Sequence, residues 1–450
     1  MSSILITHGT IVNEGLSFRG DVLICDDRIC AIGNVEPSII PPGVKIIDAG
    51  GCYVLPGLID DQVHFREPGL TQKADILSET RAAVAGGITS FMDMPNTLPQ
   101  TITLDLLEEK YRIGKERSMI NYSFYLGGTN SNLSELLNAD PEVICGIKLF
   151  LGSSTGNMLV NDENVLREIF SRSPMLIALH CEDEPTVRHN SEIYREKYGE
   201  DIPVKFHPMI RSREACFITS SMAVRLAREY NTRINILHLS TADEMKLFSN
   251  DLPVAEKRIT GEVCVHHLIF EESDYEQLGN LIKWNPAIKT KYDRDALING
   301  VNNDLIDIIA TDHAPHTIEE KSNTYFKAPS GGPLVQHSLV SMLELWHNGI
   351  IGIGKIVEKM CHNPAMIYRV RERGFIREGY KADICIVNPE EPWTVSKENL
   401  MYKCGWSPFE GRIFHSRVKQ TIVNGNIVFD NGIMDENYRG ERLLFNIKQR

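Results

Sequence analysis

The sequence predicts an α/β protein: a (β/α)8 TIM-like barrel joined to a small β-sandwich built from both chain termini. Three observations predict it. In the middle of the chain, apolar runs alternate with helical patterns about eight times over roughly 300 residues. Those runs are apolar on consecutive residues, as strands covered on both faces are. Both chain ends instead read as short β-runs broken by turns, and neither end alone has enough strands for a stable sheet. An open doubly wound sheet usually carries a Gly-rich nucleotide loop. This chain has neither G-x-G-x-x-G nor G-x-x-x-x-G-K-[ST].

At the N-terminal end the β-runs are Ile4–Ile6, Thr10–Val12, Asp21–Cys25 and, after the Asp26-Asp27 turn, Arg28–Ile32. At the other end Ala382–Val387 reads as a strand, and Gln420–Val423 meets Ile427–Phe429 across Asn424-Gly425, a strong hairpin signal. The two ends are expected to pair as one domain, 1–55 with 380–450, leaving 56–379 for the barrel. The barrel strands are predicted at Tyr53–Ile59, Ile88–Met94, Ile120–Leu126, Val143–Leu151, Met175–His180, Arg233–Leu239, Ile259–His266 and Leu305–Thr311. Helices are predicted at Leu77–Ala85, Leu104–Lys115, Asn164–Ser171, Arg213–Tyr230 and Leu339–His347.

Composition narrows the function classes. Of 450 residues, 42% are hydrophobic and 24% charged, ordinary for a globular chain with a large core. Lys and Arg number 47 against 60 Asp and Glu, a net charge of −13 that repels phosphate backbones and anionic lipid. No nucleic-acid partner is expected, and no membrane partner either, since no apolar run approaches the roughly 18–20 residues of a spanning helix. The 10 cysteines include no C-x-x-C pair, and the first residues lack a secretory pattern, so reduced thiols in a cytoplasmic protein are expected.

What ends the strands carries the chemistry. The first is followed by Gln62-Val63-His64-Phe65-Arg66, where alternation points Gln62, His64 and Arg66 to one side. Lys148 sits inside an apolar run, the fifth and sixth strands end at His180 and His238, and the eighth runs into Asp312-His313-Ala314-Pro315-His316. In a parallel barrel these ends open on one face, where active sites lie. Histidines and acids delivered to one rim have the composition of a zinc site. Alternation also sends Lys148 into the barrel, where an unpaired ammonium is costly. If neutral, its amine can react with carbon dioxide to give a carbamate, whose two oxygens can bridge two cations.

Several segments are more specific. Pro56–Asp60 leads into His64–Gly69. Ala85–Thr89, Met94-Pro95-Asn96-Thr97, Gly146-Ile147-Lys148, Glu262 with His266-His267, Asn285-Pro286 and Ala310–His316 follow. On these motifs the chain resembles the dihydroorotases of the cyclic amidohydrolase group, nearly end to end. The resemblance implies His64, a carboxylated Lys148, His180, His238 and Asp312 around one or two zinc ions. It implies Arg66, Asn96, Asn285 and His316 holding substrate, with backbone near Ser330-Gly331 closing over it. The implied reaction is reversible hydrolysis of dihydroorotate to N-carbamoyl-aspartate in pyrimidine synthesis, with Asp312 as general base and then acid. A homodimer is implied as well. Sister activities on hydantoin, dihydropyrimidine or allantoin rings remain open, as does a non-catalytic scaffold for a transcarbamoylase.

One departure bears on the metals. The family's first strand reads His-x-His, and here Gln62 replaces the first His. Amide oxygen is a poorer zinc ligand than imidazole, so one tightly held zinc and a weaker or absent second are expected. Gly152-Ser153-Ser154-Thr155-Gly156 matches a nucleophile elbow, but the residues after it read as loop, and a turn is the simpler reading. His266 and His267 are expected to be structural or to support ligands, at most one facing the barrel mouth.

Overall fold

The structure, a computed structural model, describes residues 3–152 and 158–447. The eight barrel strands are Leu58–Val63, Ile88–Asp93, Asn121–Phe124 continued by Leu126–Gly127, Ile147–Phe150, Ile177–His180, Ile234–Ile236, Ile259–Cys264 and Ile308–Ala310. Neighbours pair in parallel around the ring. The seam closes where Val63 bridges His313 and the His64 N–H donates to the His313 carbonyl at 2.7 Å. The fold is thus a parallel α/β barrel carrying a β-sandwich domain. Among the described residues no helix is long and apolar enough to cross a membrane.

Helix boundaries follow local chemistry. Asp75 opens Ile76–Ala85 with a capping box, its carboxylate accepting the Ser78 N–H. Ser212 opens Arg213–Tyr230, which stops at Asn231 in the left-handed conformation. Several short helices and two long ones go unforeseen. Glu184–Tyr198 buries Val187 alone and so shows no apolar stripe. Lys291–Asn302 hides its start in a Thr290–Asp293 capping box.

Several barrel strands are shorter than expected, and two boundaries differ in kind. The run Tyr53–Ile59 is two strands: Tyr53–Pro56 joins the terminal sheet, and the barrel begins at Leu58. Gly57 divides them, lying so close to Thr89 that a Cβ there would overlap its side chain. The seventh strand stops at Cys264, and His266 and His267 lie in the helical turn Val265–Ile269.

The terminal domain is a continuous nine-stranded sheet. At its centre Tyr53–Pro56 pairs in parallel with Ser3–Asn13 on one side and antiparallel with Ile384–Asn388 on the other. Ser3–Asn13 also shifts register between Ile6 and Gly9, with His8 at φ 61°. This bulge lets its first half pair with Lys45–Asp48 and its second with Tyr53–Pro56. Ile4, Ile6, Ile24, Val54, Ile384 and Ile422 share one buried core, so strands from both termini fill it together. The stretch between Val395 and Phe414 then leaves the sheet to pack on the barrel mouth, where Phe409 and Phe414 join Trp284 and Leu334 in a common cluster.

The two end hairpins lock at their turns. Gly425 has φ 73°, and a Cβ on it would lie 1.8 Å from the Asp26 carbonyl oxygen. Gly432 has φ 93° with nothing nearby. Gly432→Ala is expected to cost about 1 kcal/mol from the left-handed backbone alone. Gly425→Ala should cost about 1–3 kcal/mol beyond that, because backbone must shift. Equal losses in denaturant titrations would contradict this contact.

Candidate active site at the strand ends

Residues from seven strand ends and loops line one pocket, with about 400 Å³ of unfilled space partly open to solvent. His64, Arg66, Lys148, His180, His238, Asn285, Asp312, Ser330 and Gly331 line it, together with Gln62. Asn96 and His316 stand one layer behind. Asn96 Oδ1 lies 2.8 Å from His64 Nδ1, and His316 Nε2 lies 3.0 Å from an Arg66 Nη2. Sequence reasoning missed Phe150, Trp284 and Ala314 in the lining. As apolar side chains they carried no reactive signature, although Trp284 adjoins Asn285 in sequence. Residues 153–156 of the serine motif lie outside the described residues.

Backbone strain concentrates here. Arg66, His238 and Asp312 have φ of 67°, 41° and 48°. A left-handed non-glycine residue costs roughly 1–3 kcal/mol and persists where its surroundings dictate it. Arg66 is held by the Pro315 carbonyl, which accepts from its Nε at 3.0 Å. The turn before it is held by Asp93, whose carboxylate accepts the Phe65 N–H at 2.6 Å. Asp93 in turn forms a fully buried ion pair with Lys110 at 2.5 Å.

The donors converge as two pairs. His64 Nε2 lies 3.1 Å from Asp312 Oδ1, and His180 Nδ1 lies 2.9 Å from His238 Nε2. Glu182 Oε2 sits 3.2 Å from His180 Nε2 and pairs with Arg211. Burial alone would raise the Glu182 carboxyl, but Arg211 and His180 outweigh it and hold it down at about 2. Glu182 Oε2 faces His180 Nε2 at ion-pair distance without a hydrogen bond, so its charge favours the proton on Nε2 and leaves the Nδ1 lone pair toward His238. Sequence reasoning passed over this support, legible as an acid two residues beyond the His. Gln62 is turned to other tasks. Its Nε2 donates to Asp312 Oδ1 at 3.2 Å, and its Oε1 accepts from the Cys264 thiol at 3.6 Å.

Two cations face this pocket without a carboxylate bonded to them. Lys148 is buried and has no hydrogen bond or ion pair among the described residues, its Nζ 4.7 Å from the Phe150 ring centroid. Burial pulls its pKa down to about 8, against the opposing pull of Asp312 and Glu262. Arg66 is also buried, and burial lowers it to about 10, which leaves it charged at neutral pH. Its partners are a carbonyl and a neutral imidazole.

Do these residues fit a metal? Among the described residues no three His, Cys, Asp or Glu side chains come together closely enough to hold one by themselves. Each pair has two donors of zinc-binding type and lacks a third. Lys148 lines the same pocket with a free amine, and a carbamate on it would supply oxygens. With that modification the donor set fits. His266 and His267 stay out of the lining: His266 stacks on Trp284 at 4.4 Å, and His267 bonds the Pro286 carbonyl.

A parallel barrel whose strand ends bring these imidazoles, an aspartate and a buried lysine to one pocket is of the cyclic amide hydrolase class. Comparison with known proteins agrees and is more specific. A model of the amidohydrolase family matches residues 53–428. A dihydroorotase of Clostridioides difficile is 34% identical over 440 residues, covering 95% of this chain and 100% of that one. A dihydroorotase of Pyrococcus abyssi is 30% identical over 443 residues, covering 98% of each. Among solved structures, an L-hydantoinase (dihydropyrimidinase) from Arthrobacter aurescens superposes with a TM-score of 0.91 at 24% identity, over 99% of this chain and 100% of that one. The chain belongs to the amidohydrolase family.

Beneath the pocket, Asp60, Asp61 and Glu262 are buried together in the barrel. Asp60 accepts from Thr311 Oγ1 at 2.6 Å, and Asn235 Nδ2 reaches both Asp61 and Glu262. Asp61 lies in this lower layer, where the strand register shifts between Asp60 and Val63. Burial raises all three carboxyls, Asp60 to about 7 from 3.8. The native chain therefore keeps protons that the unfolded chain releases. The Asp60 contribution to stability is greatest below pH 3.8 and is lost as the pH climbs through about 7. For Asp60 alone this amounts to about 4 kcal/mol. Asp60→Asn is expected to flatten the fall in unfolding free energy between about pH 4 and 7; an unaltered slope would contradict a raised Asp60.

Proposed function

We propose that this chain is a zinc-dependent dihydroorotase, reversibly hydrolysing dihydroorotate to N-carbamoyl-aspartate in de novo pyrimidine biosynthesis. The observation that carries the reading is Arg66, a buried guanidinium at the pocket wall with no carboxylate partner among the described residues. A ring bearing a carboxylate satisfies it with a charge-assisted, bidentate contact. Hydantoin and dihydropyrimidine rings have no such group. The sister reading has the hydantoinase-like fold in its favour and Arg66 against it.

His180 and His238, with carboxylated Lys148, would hold one zinc; His64 and Asp312, sharing that carbamate, would hold a weaker second. A divalent cation there acidifies water and polarises an amide carbonyl. The chain supplies the rest. Arg66 anchors the ring carboxylate, and Asn285 with backbone at Ser330 and Gly331 borders the ring. Asn96 sets the orientation of His64, and His316 backs the Arg66 guanidinium. Asp312 takes the proton of the attacking water and returns it to the departing ring nitrogen, base first and acid second. The reverse direction uses the same proton path to close carbamoyl-aspartate.

Purified protein is expected to consume dihydroorotate, seen as loss of ring absorbance with carbamoyl-aspartate appearing, to stop on chelation and to recover with zinc. Arg66→Met should lower kcat/KM for dihydroorotate at least about a hundredfold, as loss of a charged bidentate contact does. Turnover of uncharged hydantoins with none of dihydroorotate would favour the sister activity. Metal analysis of protein purified without added zinc should find one chelator-resistant ion per chain, and Gln62→His should retain a second. Two equally resistant ions with Gln62 in place would overturn the unequal-site reading.

A further inference from the structure

Part of the pocket wall is backbone, and buried lysines hold it. Ser330 and Gly331 on one segment and Asn285 on another line the pocket. The Gly331 N–H donates to the Lys283 carbonyl at 2.8 Å, which joins the two segments. Gly331 has no room for a side chain of its own to brace this joint. Its φ is 125°, and a Cβ on it would lie 2.5 Å from the Ala314 carbonyl oxygen.

Lys321 ends the short helix Ile318–Lys321, just beyond His316, and is buried. Its Nζ donates to the carbonyls of Gly331 at 2.7 Å, Pro329 at 3.0 Å and Lys283 at 3.3 Å. Three carbonyls around one nitrogen match the three N–H groups of an ammonium. Lys283 repeats the device farther along the same loop, its Nζ donating to the Tyr325 and Ala328 carbonyls at 2.6 Å each. Neither amine bonds a carboxylate among the described residues. Burial, with repulsion from Lys283 and Arg66, lowers the Lys321 pKa, and the facing carbonyls oppose this by bonding the charged form.

A buried amine without a carboxylate is costly, and an apolar side chain would fill the same space at less cost. What the amine adds is placement. It fixes the distance between the segment carrying Ser330 and Gly331 and the segment leading to Asn285, the two that border the ring. We propose that Lys321 is a positioning residue of the active site, its amine setting where the Ser330-Gly331 backbone and Asn285 stand against the substrate ring. The identity of that ring rests on the dihydroorotase reading.

Kinetics of Lys321→Met test this. Contacts made alike to the bound ring and to the transition state set KM rather than kcat. KM for dihydroorotate is therefore expected to rise at least about tenfold while kcat falls less than about threefold. In Lys321→Ala, added n-propylamine replaces the atoms removed and should restore KM, whereas propanol, of matching length with one donor, should not. Hydrogen exchange read by mass spectrometry needs no turnover. Peptides covering 325–332 should exchange at least about tenfold faster in Lys321→Met, with those covering Ser3–Asn13 unchanged. If Lys321→Ala fails to fold, Lys321→Met carries the kinetic and exchange arms. Turnover of hydantoins with none of dihydroorotate in the unaltered chain would sink the function reading alone, and the KM split on a hydantoin would then test Lys321. If neither ring is turned over, the exchange arm decides. A loss of kcat with KM unmoved, equal rescue by propanol, or unchanged exchange over 325–332 would overturn the proposal.

Discussion

Closure of the barrel is the constraint on which the rest depends. The first and last strands meet where the His64 N–H donates to the His313 carbonyl, and Thr311 bonds Asp60 alongside. That seam brings His64 and Asp312 within 3.1 Å although 248 residues separate them. It also brings Arg66 under the Pro315 carbonyl. The seam is braced from outside by His313, whose Nδ1 accepts the Leu334 N–H while its Nε2 donates to the buried carboxylate of Glu79. A neutral imidazole with both nitrogens engaged has one tautomer available. The loop carrying Ser330 and Gly331 is therefore tied to the same joint as the charged residues it faces.

The pocket is arranged around missing counter-charges. Among the described residues Arg66 has no carboxylate and Lys148 no acceptor, and the imidazole and carboxylate pairs face one another across gaps of about 3 Å. In a water-filled cleft such an arrangement would be unremarked. In a buried one it is costly, and under the proposed function an anionic ring and cations entering together would offset that cost. The left-handed backbone at Arg66, His238 and Asp312 points the same way, because the fold tolerates strain there to aim those side chains.

Much of this was legible in the letters because strand ends are chemically abrupt. An apolar run that stops at His180 or at Asp312 announces both the element and its cargo. The terminal sheet was legible through Asn424-Gly425 and the Asp26-Asp27 turn. What stayed hidden depends on neighbours distant in sequence. Alternation gives direction but not depth, so Asn96 and His316 could not be told from residues bordering the pocket. Trp284 and Phe150 carry no ionisable group, and helix Glu184–Tyr198 shows no stripe because it buries so little.

The excursion between Val395 and Phe414 has a wider consequence. Trp406 donates its indole N–H to the His316 carbonyl, and the Tyr402 hydroxyl accepts the Gln336 N–H. The terminal domain therefore furnishes an outer wall for the residues that back Arg66. It cannot serve as a detachable handle: trimming or swapping it removes masonry from the catalytic chamber, and the barrel on its own is not the smallest working unit.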